Sequence, residues 1–163
     1  MENAMERVED TQHGKYLTFA LGRESFGLEI SYVKEIVKMQ PITAMPEVAS
    51  YVKGIINLRG RIIPVIDMCL KFGMEASAYT DRTCIIVIDI RDISVGLIVD
   101  NVAEVLVIDD NEIVPPPLMK TGAYNNYIKA IGKTGSDVKL LLDCERLFSQ
   151  DEALISGDIQ AEA

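Results

Sequence analysis

Arg59-Gly60-Arg61 places two guanidinium groups around a glycine suited to a tight turn, in a chain of 163 residues. Planar, permanently charged donors at such a tip can be aimed at a carboxylate or at carbonyls of another molecule. Solvated turn charge would account for the same residues. The groups that do catalysis are sparse. His13 is the only histidine, so a His-based triad or a multi-His metal site lacks its members. Gly132-Lys133-Thr134 matches the end of a phosphate loop, but Tyr127 stands where that loop needs glycine. Gly22 and Gly27 have the spacing of two such glycines, yet Leu28-Glu29 replaces the Lys-Ser/Thr pair. Cys69, Cys84 and Cys144 are odd in number, show no CxxC spacing and read as reduced thiols in or near a core. Asp109-Asp110-Asn111-Glu112 lacks the spacing of a calcium loop and reads as the cap of a short helical turn. Asp67, Asp100 and Asp143 each close an apolar run, where turn chemistry explains them. The expectation is a binding surface with no catalytic residue, no metal and no cofactor. An enzyme or small-ligand binder with a site between two subdomains is the competing class.

The elements that must hold such a surface follow from composition and periodicity. AVILMFWYC residues make up 48% and charged residues 25%, which is a globular balance and excludes wholesale disorder. The longest run without Asp, Glu, Lys or Arg is 8 residues, too short for a spanning helix. Met1 to Glu6 has no apolar h-region, so a secretory signal is not expected and a cytoplasmic protein is. The net charge of -9 sits mainly at the ends: residues 1–12 carry -3 and residues 149–163 carry -4. A nearly balanced body with no Trp and no basic block is a poor nucleic-acid binder. Residues 1–12 read as a flexible acidic tail, 13–148 as the folded body, and 149–163 as an acidic tail, helical at its start.

The body repeats itself. At an offset of 69, Leu17, Phe19 and Leu21 meet Ile86, Ile88 and Ile90, while Ser25, Gly27 and Leu28 meet Ser94, Gly96 and Leu97. Val33, Glu35 and Ile36 meet Val102, Glu104 and Val105 at the same offset. At an offset of 76, Tyr51-Val52-Lys53-Gly54-Ile55 meets Tyr127-Ile128-Lys129-Ala130-Ile131, and Val65-Ile66-Asp67 meets Leu141-Leu142-Asp143. Pro115-Pro116-Pro117, read as a rigid connector, absorbs the change of offset. Two copies of this size are marginal alone and should share a core.

Alternation predicts strands over Tyr16–Leu21 and Phe26–Ile30, and again over Thr83–Ile90, Ile93–Asp100, Val102–Ile108, Tyr127–Thr134 and Val138–Asp143. Lys53–Leu58 and Arg61–Asp67 flank the Arg59-Gly60 tip as a hairpin. Ser31 is expected to cap a short helix that turns Val33, Ile36 and Val37 inward. Pro64 lacks an N–H and should sit on an edge strand or at a bulge. A closing helix is expected from Cys144, with Leu147, Leu154 and Ile155 on its apolar face.

The stretch Tyr51-Val52-Lys53-Gly54-Ile55-Ile56-Asn57-Leu58-Arg59-Gly60-Arg61-Ile62-Ile63-Pro64-Val65-Ile66-Asp67 resembles the signature of the CheW-like family of chemotaxis coupling modules. The resemblance spans about residues 14 to 148 and includes Phe26-Gly27-Leu28-Glu29-Ile30 and Val95-Gly96-Leu97-Ile98-Val99-Asp100. The same module occurs in the kinase CheA and in CheV, but this chain is too short for a kinase core and shows no receiver-like segment after residue 148. The resemblance implies an all-β fold with short helices: two similar five-stranded SH3-like barrels on an interwoven chain, about 15–72 and 82–148, with exchange of strands between them allowed. It implies a non-catalytic, monomeric cytoplasmic adaptor. Its partners would be the cytoplasmic tip of methyl-accepting chemoreceptors and the regulatory domain of the histidine kinase CheA. The same module in a non-flagellar pathway is the alternative. Positions carried over as partner contacts are Val33, Glu35, Gly54, Asn57, Arg59 and Val105. Departures from the family pattern fall at Met74–Tyr79, Met119–Asn126 and the acidic tail.

Overall fold

The structure is a computed structural model and describes residues 12–117 and 126–148. Strands run over Lys15–Leu21 (β1), Glu24–Glu29 (β2), Val33–Lys38 (β3), Val52–Leu58 (β4), Arg61–Asp67 (β5), Cys84–Ile90 (β6), Ile93–Val99 (β7), Asn101–Val107 (β8), Ile113–Val114 (β9), Ile128–Thr134 (β10) and Asp137–Leu142 (β11). Two short helices, Met68–Lys71 (α1) and Cys144–Leu147 (α2), follow β5 and β11. Asp67 and Asp143 cap them, accepting from the N–H groups of Leu70 and Arg146. The Leu154 and Ile155 continuation, most of both tails and most of the Met119–Asn126 loop lie outside the described residues.

The strands form two mixed sheets, ordered β3-β6-β7-β5-β4 and β8-β1-β2-β11-β10-β9. Strands β3 to β7 make the first, which we call the middle sheet. Strands β1 and β2 cross over to join β8 to β11 in the second, which we call the terminal sheet. The chain is thus interwoven, and the sheets cut across the halves 15–72 and 82–148.

The sequence repeat reappears as a repeat of register. Val33 pairs with Ile88 and Glu35 with Val87, skipping Lys34; Val102 pairs with Phe19 and Glu104 with Thr18, skipping Ala103. These are the same bulge in both copies, displaced by 69 residues. A second irregularity falls between Val52 and Gly54 and recurs between Ile128 and Ala130. The bridge of Thr43 to Ile55 matches the pairing of Val114 with Ile131. Matched bulges bend the strands alike, so each sheet curls the same way around its own apolar cluster.

Three cores result. Ile56, Leu58, Ile63, Val65, Ile85, Val87 and Ile98 fill the concave side of the middle sheet. Tyr16, Ile108 and Leu141 fill that of the terminal sheet. Between the sheets lies the largest cluster, where Phe19, Phe26, Phe72, Ile66, Ile86, Ile88 and Leu97 are almost completely buried. Phe26 lies 5.7 Å from Phe19 and 5.5 Å from Phe72, centroid to centroid. This shared core ties together copies that would be marginal alone.

Two expectations need correction. No helix follows Ser31. Ile30–Tyr32 is a single 3₁₀ turn without a side-chain cap, and Val33–Lys38 is an edge strand on β6. The helix-like spacing of these residues is alternation broken by a bulge: β-branched Val33, Ile36 and Val37 suit a pleated surface, and β6 offers a partner. Ile36 therefore reaches the rim, 44% exposed, while Val37 faces the middle-sheet cluster. The second correction concerns Pro64, which sits inside the sheet on β5, opposite Ile55. Ile55 exchanges both backbone bonds with Thr43, each 2.9 Å, so it asks for none across the ladder from Pro64. Parallel pairing with β7 begins one residue later, at Val65. The missing N–H thus costs the sheet nothing.

Candidate protein-interaction site

The hairpin between β4 and β5 turns at Arg59 (φ 53°) and Gly60 (φ 90°), both in the left-handed region that a two-residue turn between twisted strands requires. The corresponding tip between β10 and β11 has Gly135 (φ 66°) at the place of Arg59. Arginine is therefore kept where the other copy uses the unstrained residue, and a side chain held at a local conformational cost points to a use. Asn57 shapes the tip, its Oδ1 accepting the N–H of Gly60 at 2.8 Å.

From that tip the Arg59 guanidinium reaches Glu35 on β3, at the opposite edge of the middle sheet, and forms an ion pair. The partners are unequally exposed: the arginine side chain is 67% accessible and the glutamate side chain 26%. The bulge at Lys34 is what brings Glu35 into line. It leaves Val33 and Ile36 on the side of the shared core, where their partners Ile88 and Ile86 are buried, and turns Glu35 to the concave side with Val87. Around this pair the same end of the sheet carries a polar network. Arg61 donates to Ser94 Oγ at 2.7 Å, Ser94 donates to Asp89 at 2.6 Å, and Lys34 lies 3.8 Å from Asp89. Arg91, also left-handed at φ 50°, reaches Glu145 at 3.0 Å.

The remaining candidates separate. Gly54 (φ 145°) lies where the chain at Thr43 crosses β4; a Cβ there would stand 2.0 Å from the Thr43 carbonyl oxygen. Its place in the motif is a backbone requirement. Val33 is half-buried against the shared core. Val105 is 50% exposed on the terminal sheet, at the position matching Ile36, away from the Arg59 hairpin in the chain. The structure thus joins Glu35, Asn57 and Arg59 into one constellation, and leaves Val33, Gly54 and Val105 outside it. It adds Ile36, Ile62, Val107 and Val138 as exposed apolar side chains. Strand parity with Val105 gives Val107 within the predicted strand Val102–Ile108, whereas Ile36 follows only once the segment after Ser31 is a strand.

The thiols are poor nucleophiles. Burial pushes Cys69 up to about 11 and Cys144 up to about 12, and also raises Cys84. Cys69 is further held by Ser77 and Asp100, at 3.7 and 3.6 Å.

Two interwoven mixed sheets, with an exposed arginine paired to a partly exposed glutamate across one of them, define a two-sheet β module. The family model described as CheW-like domain matches residues 15–152. The chain belongs to the CheW-like domain family. It is 31% identical over 150 residues to a chemotaxis protein CheW of Klebsiella aerogenes, covering 92% of this chain and 90% of that protein. It is 34% identical over 149 residues to a chemotaxis protein CheW of Treponema pallidum, covering 89% and 87%. The crystal structure of the scaffolding protein TtCheW from Thermoanaerobacter tengcongensis superposes with a TM-score of 0.78 at 39% identity, covering 85% of this chain and 94% of that one.

Proposed function

We propose that this chain is a non-catalytic chemotaxis adaptor that couples methyl-accepting chemoreceptors to the histidine kinase CheA. The observation that carries this reading is the family match across residues 15–152, together with likeness to proteins described as chemotaxis protein CheW over most of both chains. The receptor's cytoplasmic tip and the regulatory domain of CheA are the partners. Val33, Glu35, Gly54, Asn57, Arg59 and Val105 are the residues assigned to their contact. Among them Glu35, Asn57 and Arg59 work as a unit: Asn57 fixes the tip, and Glu35 sets the direction of the guanidinium. Gly54 acts through the backbone it allows. A module of this kind raises kinase output by holding two partners together, which multiplies their effective concentration without any bond chemistry. It works in the cytoplasm, monomeric by itself; no helix among the described residues is long and apolar enough to cross a membrane.

Co-purification of the full chain with a receptor signalling fragment and CheA, with kinase autophosphorylation as the readout, tests the proposal. A ternary complex with raised kinase activity is expected. Binding to neither partner would overturn it.

A further inference from the structure

The duplication gives each interior position of one sheet a counterpart in the other. Ile85 and Ile98 stand opposite each other on β6 and β7, and both are buried in the middle-sheet cluster. Their counterparts 69 residues earlier, Tyr16 and Glu29, stand opposite each other on β1 and β2 in the same register. An apolar pair has thus become a phenol and a carboxylate. Tyr16 still packs with Ile108 and Leu141. Glu29 does not fill the place of an isoleucine; it turns to Lys129 on β10 and forms an ion pair. Lys53, the residue that matches Lys129, is exposed, whereas Lys129 is half-buried. Beside the pair opens a cavity of about 360 Å³ whose walls include His13, Lys15, Tyr16, Glu29, Ser31 and Lys129.

Two lysines share one carboxylate in this recess. Lys129 is answered by Glu29, and His13 by Asp110 at 3.3 Å, but Lys15 makes no ion pair among the described residues. The chain as a whole carries a net charge of -9, so this positive excess is local. Burial lowers the pKa of the Lys129 ammonium, even with the Asp143 carboxylate nearby to raise it. An anion entering the recess would replace part of the solvation that Lys129 has lost. Its oxygens could also accept from the hydroxyls of Tyr16 and Ser31 in the wall. We infer that the recess is a binding site for a small oxyanion, a phosphate or carboxylate group, held chiefly by Lys15 and Lys129. The cavity lies within the size range of small-molecule sites, about 300–1,000 Å³, so the oxyanion has room to carry a small organic body. The site sits on the terminal sheet alone, not between the two sheets, and it adds a ligand to the module without giving it a reaction.

This inference stands apart from the adaptor reading, and its test needs no partner protein. The isotope-labelled full chain is observed by NMR while it is titrated with inorganic phosphate, with acetate, and with sodium chloride at matched ionic strength. Saturable shifts of the backbone amides of Lys15, Tyr16, Ser31 and Lys129 are expected with phosphate or acetate and not with chloride. The probe that saturates at the lower concentration identifies which oxyanion the recess prefers. Lys15→Gln is expected to weaken that binding about fivefold or more, and Lys15→Glu to abolish it, while Lys15→Arg keeps it. All three should melt like the parent, because no ion pair of Lys15 is lost. Shifts that chloride reproduces, shifts that never saturate with either oxyanion, or parent-like binding by Lys15→Glu would each overturn the inference.

Discussion

Arg59 and Glu35 are 24 residues apart in the chain and sit at opposite edges of the middle sheet, yet they form an ion pair. The sheet must curl for this to happen, and the pair spans the gap where the curl does not close with backbone bonds. Its exposed half is free to meet a partner while its shielded half keeps the direction.

Arg59→Gly is expected to separate stability from function. Glycine accepts φ 53° without strain, as Gly135 does in the other copy, so stability should be unchanged or higher by up to about 1 kcal/mol. Affinity for receptor fragment or CheA should fall about ten- to a hundredfold with the loss of a charge-assisted contact. Thermal melting and titration of each partner check both halves. A large fall in melting temperature would mark the arginine as structural.

Ile36→Ala is expected to cost under about 1 kcal/mol, because the side chain is already 44% exposed. Ile86→Ala, its fully buried neighbour across the ladder, should cost about 2–5 kcal/mol. Urea unfolding of the two variants side by side decides whether Val33–Lys38 behaves as the edge strand seen here. Equal costs would favour a helix that buries Ile36.

Gly54→Ala should be among the most damaging single changes, at about 3 kcal/mol or more. A methyl group would meet the Thr43 carbonyl at 2.0 Å, and the backbone at φ 145° is closed to alanine. Loss of partner binding in this variant should therefore track loss of folded protein in a melting experiment. Full stability with lost binding would instead make Gly54 a direct contact.

The buried thiols give a stability trend at high pH. Their ordinary value is 9.0, and burial raises Cys69 to about 11 and Cys144 to about 12. The folded protein thus holds thiol protons that the unfolded chain gives up. Their contribution is complete below the unfolded value and is lost as pH climbs from there through the raised values. Urea midpoints should decline over that window, and exchange of both cysteines for serine or alanine should flatten the decline. Alkylation at pH 8 should be slow for the native chain and fast in denaturant.

Neither half of the chain should fold alone. Residues 12–72 contain β1 and β2 without β8 and β11, and residues 82–148 contain β6 and β7 without β3 and β5. Circular dichroism of each fragment should show no cooperative transition, while the intact body melts in one step. An independently cooperative fragment would contradict the interwoven arrangement.

The sequence by itself settled what depends on short-range pattern and on resemblance between segments. Alternation located β1, β2, β4 to β8, β10 and β11 to within a few residues, and two offsets revealed the duplication that the matched bulges confirm. The long motif from Tyr51 to Asp67 was enough to identify the family. Tertiary structure decided the rest, because the deciding forces act between residues far apart in the chain. Val33–Lys38 has a pattern that fits either a helix or a bulged strand, and only the ladder offered by β6 selects the strand. Pro64 looked like an edge residue until Thr43, from a loop, took up the bonds of Ile55 opposite it. Nothing in the spacing of Glu35 and Arg59 marks them as a pair; the curl of a five-stranded sheet brings them together. The same curl in the other copy sets Glu104 at the edge without its arginine, since register is shared between duplicated strands while side-chain charge is free to diverge.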